Sequence, residues 1–143
     1  MTITENWQEV ERWLSAHAPK VLASLPKGAS AKALAEAEKV LGLALPQDLR
    51  ESLAVHDGSA ETFAFYGPND ILLGKPLSAK EVVASWCSLE FLAGGRSESF
   101  KGVKRFWWNR KWVPILRVVG DYTCIDLDPA KGGKAGASVR LGP

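Results

Sequence analysis

Trp112-Val113-Pro114-Ile115-Leu116-Arg117-Val118-Val119-Gly120-Asp121-Tyr122-Thr123-Cys124-Ile125-Asp126-Leu127-Asp128-Pro129 holds two apolar, β-branched runs on either side of Gly120-Asp121. Residues 112–119 read as one strand, Gly120-Asp121 as a tight turn, and residues 122–127 as the hairpin partner. Asp128-Pro129 stops the second strand, because proline removes a donor and restricts the residue before it. The run from Lys131 to Gly136 reads as a flexible loop, and residues 137–141 return as a short last strand.

Upstream of this hairpin the period changes. Thr62 to Tyr66 alternates as a strand, Asn69-Asp70 breaks it, and Ile71-Leu72-Leu73 follows as a second short strand. Ser78 with Glu81 has the spacing of a capping box and opens a helix that carries Val82, Val83, Trp86 and Glu90-Phe91, closed by Gly94-Gly95. Earlier still, Thr2 and Glu5 form another such box, and Trp7, Val10, Trp13, Leu14 and His17 share a face at helical spacing. Pro19 marks the end of that helix, and Val21, Leu22 and Leu25 read as an apolar connector before Pro26-Lys27-Gly28. A second helix runs from about Ser30, as N-cap, to Leu41, with Gly42 at the left-handed position beyond it. A third opens with Pro46 at its first position and ends before Gly58. Helices first and strands last give an α+β class, with N-terminal helices packed on a C-terminal, mainly antiparallel β-sheet.

The composition bounds the function. With 143 residues and 46% hydrophobic content, the chain suits a single domain over residues 1–143. Its N-terminus has no basic and apolar leader pattern, and runs such as Val82 to Cys87 fall far short of the ~20 residues a membrane span needs. The expected location is therefore cytoplasmic, without membrane insertion. Cys87 and Cys124 are too few for a disulfide framework and are expected to be reduced, buried thiols. Charge is unevenly spread: residues 1–100 carry 9 Lys/Arg against 13 Asp/Glu, and residues 101–143 carry 9 against 3.

The motifs line up in order with a family. Ala35-Glu36-Ala37-Glu38-Lys39-Val40-Leu41-Gly42 is followed by Leu45-Pro46-Gln47-Asp48-Leu49-Arg50 and then His56-Asp57-Gly58. Trp112-Val113-Pro114, Gly120-Asp121, Ile125-Asp126-Leu127-Asp128-Pro129 and Gly136 complete the series. Over nearly its whole length the sequence resembles the SUKH superfamily, which includes yeast cell-wall-assembly regulators and many bacterial immunity proteins. Glu38, Leu45, Pro46, Gly58, Trp112, Pro114, Asp126, Asp128, Pro129 and Gly136 carry the signature and read as fold-specifying residues. Many members continue into a C-terminal helix, whereas this sequence ends at Gly142-Pro143.

The resemblance implies an immunity protein that binds and neutralises the effector domain of a cognate toxin. The alternative it implies is a regulatory scaffold like the fungal members; a nucleic-acid binder is the remotest reading. No catalytic constellation competes with binding. His17 and His56 are far apart in sequence, and Asp126 and Asp128 suit turn capping better than acid–base work. Gly132-Gly133-Lys134-Ala135 lacks the Ser/Thr and following helix of a phosphate loop. No enzyme activity, metal or cofactor is expected. The segment from Lys101 to Trp112 carries five basic and four aromatic residues without an acid. It reads as a strand with its aromatics inside, as a protein interface, or, least well at a pI of 8.6, as a single-strand nucleic-acid platform. The exposed members of Trp107, Trp108, Arg110 and Lys111, with Phe63 and Tyr66, are the expected partner contacts.

Overall fold

The computed structural model describes residues 1–66, 71–94, 108–129 and 131–141. Its first helix, α1 (Ile3–His17), begins with both halves of the box read from the sequence: the Thr2 hydroxyl accepts from the Glu5 N–H, and the Glu5 carboxylate accepts from the Thr2 N–H. Two orphan donors of the first turn are satisfied locally, so this end needs no tertiary support.

The expected connector is instead a second helix, α2 (Pro19–Ser24). Pro19 ends α1 and also starts α2, because a proline at the first helical position gives up an N–H that has no helical acceptor. Helix α3 (Ala31–Leu41) has the Ser30 hydroxyl accepting from Ala33 N–H at 3.1 Å and ends on Gly42 at φ 66. Helix α4 (Gln47–Val55) follows Pro46, which sits at the N-cap, one residue earlier than read.

Strands β1 (Phe63–Tyr66) and β2 (Ile71–Pro76) form an antiparallel pair; the expected break at Asn69-Asp70 lies outside the described residues. Helix α5 (Ala79–Gly94) is opened by reciprocal Ser78–Glu81 bonds of 3.1 and 2.9 Å, and Gly95 again lies outside the described residues. The chain then forms β3 (Trp112–Val118), β4 (Asp121–Asp126) and β5 (Ala137–Leu141). The five strands lie in the order β1-β2-β3-β4-β5, each antiparallel to its neighbour, so the class is α+β as expected.

Two details of the β3–β4 hairpin differ from the sequence reading. Its turn falls on Val119-Gly120, at φ 24 and 86, one residue before the expected Gly120-Asp121. Two consecutive positive φ values match the right-handed twist of the flanking strands, and Val119, 98% exposed, accepts an unfavourable backbone angle to supply one. Pro114 lies inside a strand flanked on both sides, where a missing donor is normally excluded. It is tolerated because β2 pairs only as far as Leu116 and the β4 register shifts between Pro114 and Leu116.

The core gathers Leu34, Leu41, Leu53, Val82, Trp86, Leu89, Val113 and Cys124 between α3, α4, α5 and the sheet. The expectation of two buried thiols holds for Cys124, which has no exposed surface, and fails for Cys87. Val82, Trp86 and Leu89 point α5 inward, and Cys87 falls on its solvent side. Among the described residues no helix is long and apolar enough to cross a membrane.

Candidate partner-binding groove

Most signature residues turn out to hold the fold together. The Glu38 Oε1 atom accepts from the Leu45 N–H at 2.9 Å and from Arg50 Nη1 at 2.6 Å, tying the end of α3 to the start of α4. The Leu45 N–H, and then Arg50, hold the Glu38 carboxyl below its ordinary value against the opposing effect of burial. Asp126 Oδ1 accepts from the Asp128 N–H at 2.8 Å, and Asp128 Oδ2 accepts from the Asn109 amide at 3.0 Å. The two carboxylates therefore build a turn and its tether, and Gly136 closes the same loop by donating to Asp126 O at 2.8 Å.

Gly58 shows why that position takes no side chain. Its φ is +74, and a Cβ there would sit 2.4 Å from the Ser78 nitrogen. Around it, His56 Nδ1 lies 2.7 Å from Pro26 O, Asp57 accepts from the Ala79 N–H at 2.7 Å, and the Ser59 N–H donates to Pro76 O at 3.0 Å. His56, Asp57 and Ser59 thus pin the end of α4 to the α2–α3 connection, the start of α5 and the end of β2.

These ties leave an open groove of about 330 Å³ between α1, α4 and the sheet. Helix α1 supplies Ile3, Asn6, Trp7, Val10 and Leu14; α4 supplies Leu49 and Ser52, with His56 at its C-cap; Phe63, Pro76, Leu77, Ile115 and Leu116 form the opposite wall. The helical wall is held rigidly. Trp7 Nε1 donates to Ser52 Oγ at 2.9 Å, the Trp7 and His56 rings meet edge-on at 4.8 Å, and His56 Nε2 lies 2.7 Å from Glu11 Oε1. An apolar cleft with a few polar groups at its margin is the ordinary form of a recognition site. Within this lining Val10 is 44% exposed; Trp13, outside the lining and one turn further along α1, is 58% exposed and stacked on His17 at 4.6 Å.

The contacts expected from sequence are only partly brought together. Phe63 lines the groove and Tyr66 ends the same strand, while Trp107 lies outside the described residues. Trp108 is corrected: at 7% exposure it is a core residue, its indole N–H donating to Glu90 at 2.7 Å and its ring edge-on to Trp112. Arg110 and Lys111 are exposed, away from the groove lining. Trp86 Nε1 donates to Arg110 O at 2.9 Å, so the basic turn is fixed from beneath by its backbone, while the Arg110 guanidinium lies 3.4 Å from Glu90 Oε2 at the surface. Sequence reading missed the groove because its walls come from five separate elements. The available signal was the Trp7/Val10/Leu14 stripe with Trp13 beside it, more apolar surface than α1 could bury against α4 alone.

Burial pushes the Cys124 thiol up to about 12, which keeps it protonated and unreactive. Among the described residues no three His, Cys, Asp or Glu side chains converge in a way that could hold a metal ion.

The chain is 32% identical over 85 residues to the glucan synthesis regulatory protein of Neurospora crassa, covering 59% of this chain and 15% of that one. It is 28% identical over 160 aligned residues to the cell wall biosynthesis/cell cycle regulator smi1 of Schizosaccharomyces pombe, covering 98% of this chain and 31% of the relative. A KNR4/SMI1 homolog of Yarrowia lipolytica is 32% identical over 88 residues, 61% of this chain and 12% of its own. The chain spans less than a third of the length of each of these relatives. The family model for the SMI1 / KNR4 family (SUKH-1) matches residues 28–139, and the chain belongs to that family.

Proposed function

We propose that this chain is a regulatory protein-interaction domain that acts by binding, without a catalytic step of its own, and that it works in the cytoplasm. The observation that carries the reading is the apolar groove between α1, α4 and the sheet, with Val10 exposed in its lining and Trp13 exposed one turn further along α1. Exposed apolar residues beside a rigid cleft are where a few buried anchors supply most of a binding energy. The names of these fungal relatives, regulators or homologues of regulators, support regulation. The narrower role of neutralising a toxin would use the same binding mode, but those names favour the regulatory one. Cys87 and Cys124 are both free, which suits a reducing compartment. Arg110 and Lys111 form a second, polar contact face in this reading.

The test is affinity capture of the tagged protein from its native lysate, with wild type, Val10→Asp and Arg110→Glu/Lys111→Glu compared side by side. The reading expects a set of proteins held by the wild type, lost with Val10→Asp, and weakened by the double reversal with little change in thermal stability. One stoichiometric toxin-like partner would move the weight to neutralisation. Retention of nucleic acid alone would sink the reading.

A further inference from the structure

We propose that the groove receives a cationic amphipathic segment of its partner, a bulky apolar anchor flanked by lysine or arginine. This deepens the protein-binding reading and rests on it. The helices and turn that wall the groove, residues 3–17 and 47–63, carry Glu5, Glu9, Glu11, Asp48, Glu51, Asp57 and Glu61 against only Arg12 and Arg50, with no lysine, and with the His56 imidazole 2.7 Å from Glu11. Both cations are committed within the protein, Arg12 to Glu9 and Arg50 to Glu38. Glu5 and Asp57 accept from backbone N–H groups, which leaves their negative charge uncancelled. On the sheet side Lys75 is tied to Glu81, and Arg117 is exposed. Residues 108–129 and 131–141 have the opposite balance, six cations against three carboxylates. A low-dielectric cleft in a field of one sign concentrates ligands of the other sign. Lysine or arginine next to the anchor would meet that field, whereas an acidic segment would be repelled from it.

The probe is a fluorescein-labelled 16-residue synthetic helix with leucine and tryptophan on one face and lysine on the other. Two controls replace its lysines by glutamate or its apolar face by serine. Anisotropy should show binding of the lysine probe, weakened several-fold between 50 and 300 mM NaCl, with both controls at least about tenfold weaker. In 15N-labelled protein the Trp7 indole N–H resonance should move on titration while that of Trp86, bonded to Arg110 O in the core, stays still. Val10→Lys should weaken the probe about tenfold. Binding of the glutamate control as tight as the lysine probe, absence of lysine-probe binding, or shifts that spare Trp7 would overturn the proposal. Capture of a partner through Val10 without preference for the cationic probe would sink the charge assignment and leave the protein-binding reading standing. Loss of capture altogether would sink both.

Discussion

Replacing Glu38 by alanine removes the acceptor of the Leu45 N–H and the partner of Arg50 in one step. A hydrogen bond from a partly buried backbone donor to a charged acceptor contributes about 1.5–3 kcal/mol, and a partly exposed ion pair adds at most ~1 kcal/mol. The Glu38 side chain is only 20% exposed, so solvent replaces its contacts poorly, and the expected loss is about 2–3 kcal/mol. For a chain of this length that lowers the melting temperature by roughly 6–12 °C. Arg50→Ala, which leaves the Leu45 bond in place, should cost under ~1 kcal/mol. The pH dependence has a definite sign. The folded carboxyl is held below its ordinary value of 4.5, so its contribution is present above that value and is lost as pH falls through the depressed one. Urea denaturation at pH 7 and at successively lower pH should therefore show the wild-type and Glu38→Ala curves drawing together as pH falls below 4.5. A Glu38→Ala protein within ~0.5 kcal/mol of wild type at pH 7 would refute the account of this signature glutamate as the α3–α4 tie.

Three other substitutions or reactions probe separate parts of the account. Val119→Asn relieves a β-branched residue at φ 24 and should raise stability by about 1 kcal/mol, read as a rise of about 3–4 °C in calorimetry. Gly58→Ala drives a Cβ to within 2.4 Å of the Ser78 nitrogen at a positive φ, and should cost at least ~2 kcal/mol by chemical denaturation. Disulfide-exchange titration of the native protein at pH 8 should release one equivalent, from exposed Cys87, with Cys124 reacting only after unfolding; two rapid native equivalents would contradict the burial of Cys124.

What was legible in the sequence was what local chemistry fixes. The Thr2/Glu5 and Ser78/Glu81 boxes, the Ser30 cap and the Gly42 terminus each satisfy backbone groups within a few residues, so spacing alone reveals them. Pro19 was ambiguous because the same ring ends one helix and starts another, and the choice fell to α1–α2 packing. Val119 broke a local preference that the twist of the paired strands overrode. Glu38 stood out as a signature residue, but its acceptor role depends on Leu45 and Arg50, seven and twelve positions away. Trp108 sat among basic residues that suggested a surface, whereas Glu90, on a different element, gives its indole N–H a partly buried acceptor. The groove was the least legible feature, since no single element contains it and residues 3–24 precede the family match.

The most direct test of the central claim is site-specific photo-crosslinking in the native lysate, with the photoreactive residue placed at Val10 on the groove lip or at Val40. Val40 is similarly exposed, at 54%, but lies on α3 away from the groove lining. The account predicts discrete protein adducts from position 10 that a Trp13→Ala change diminishes, and none of these adducts from position 40. Equal adducts from both positions, or adducts from position 40 alone, would contradict it.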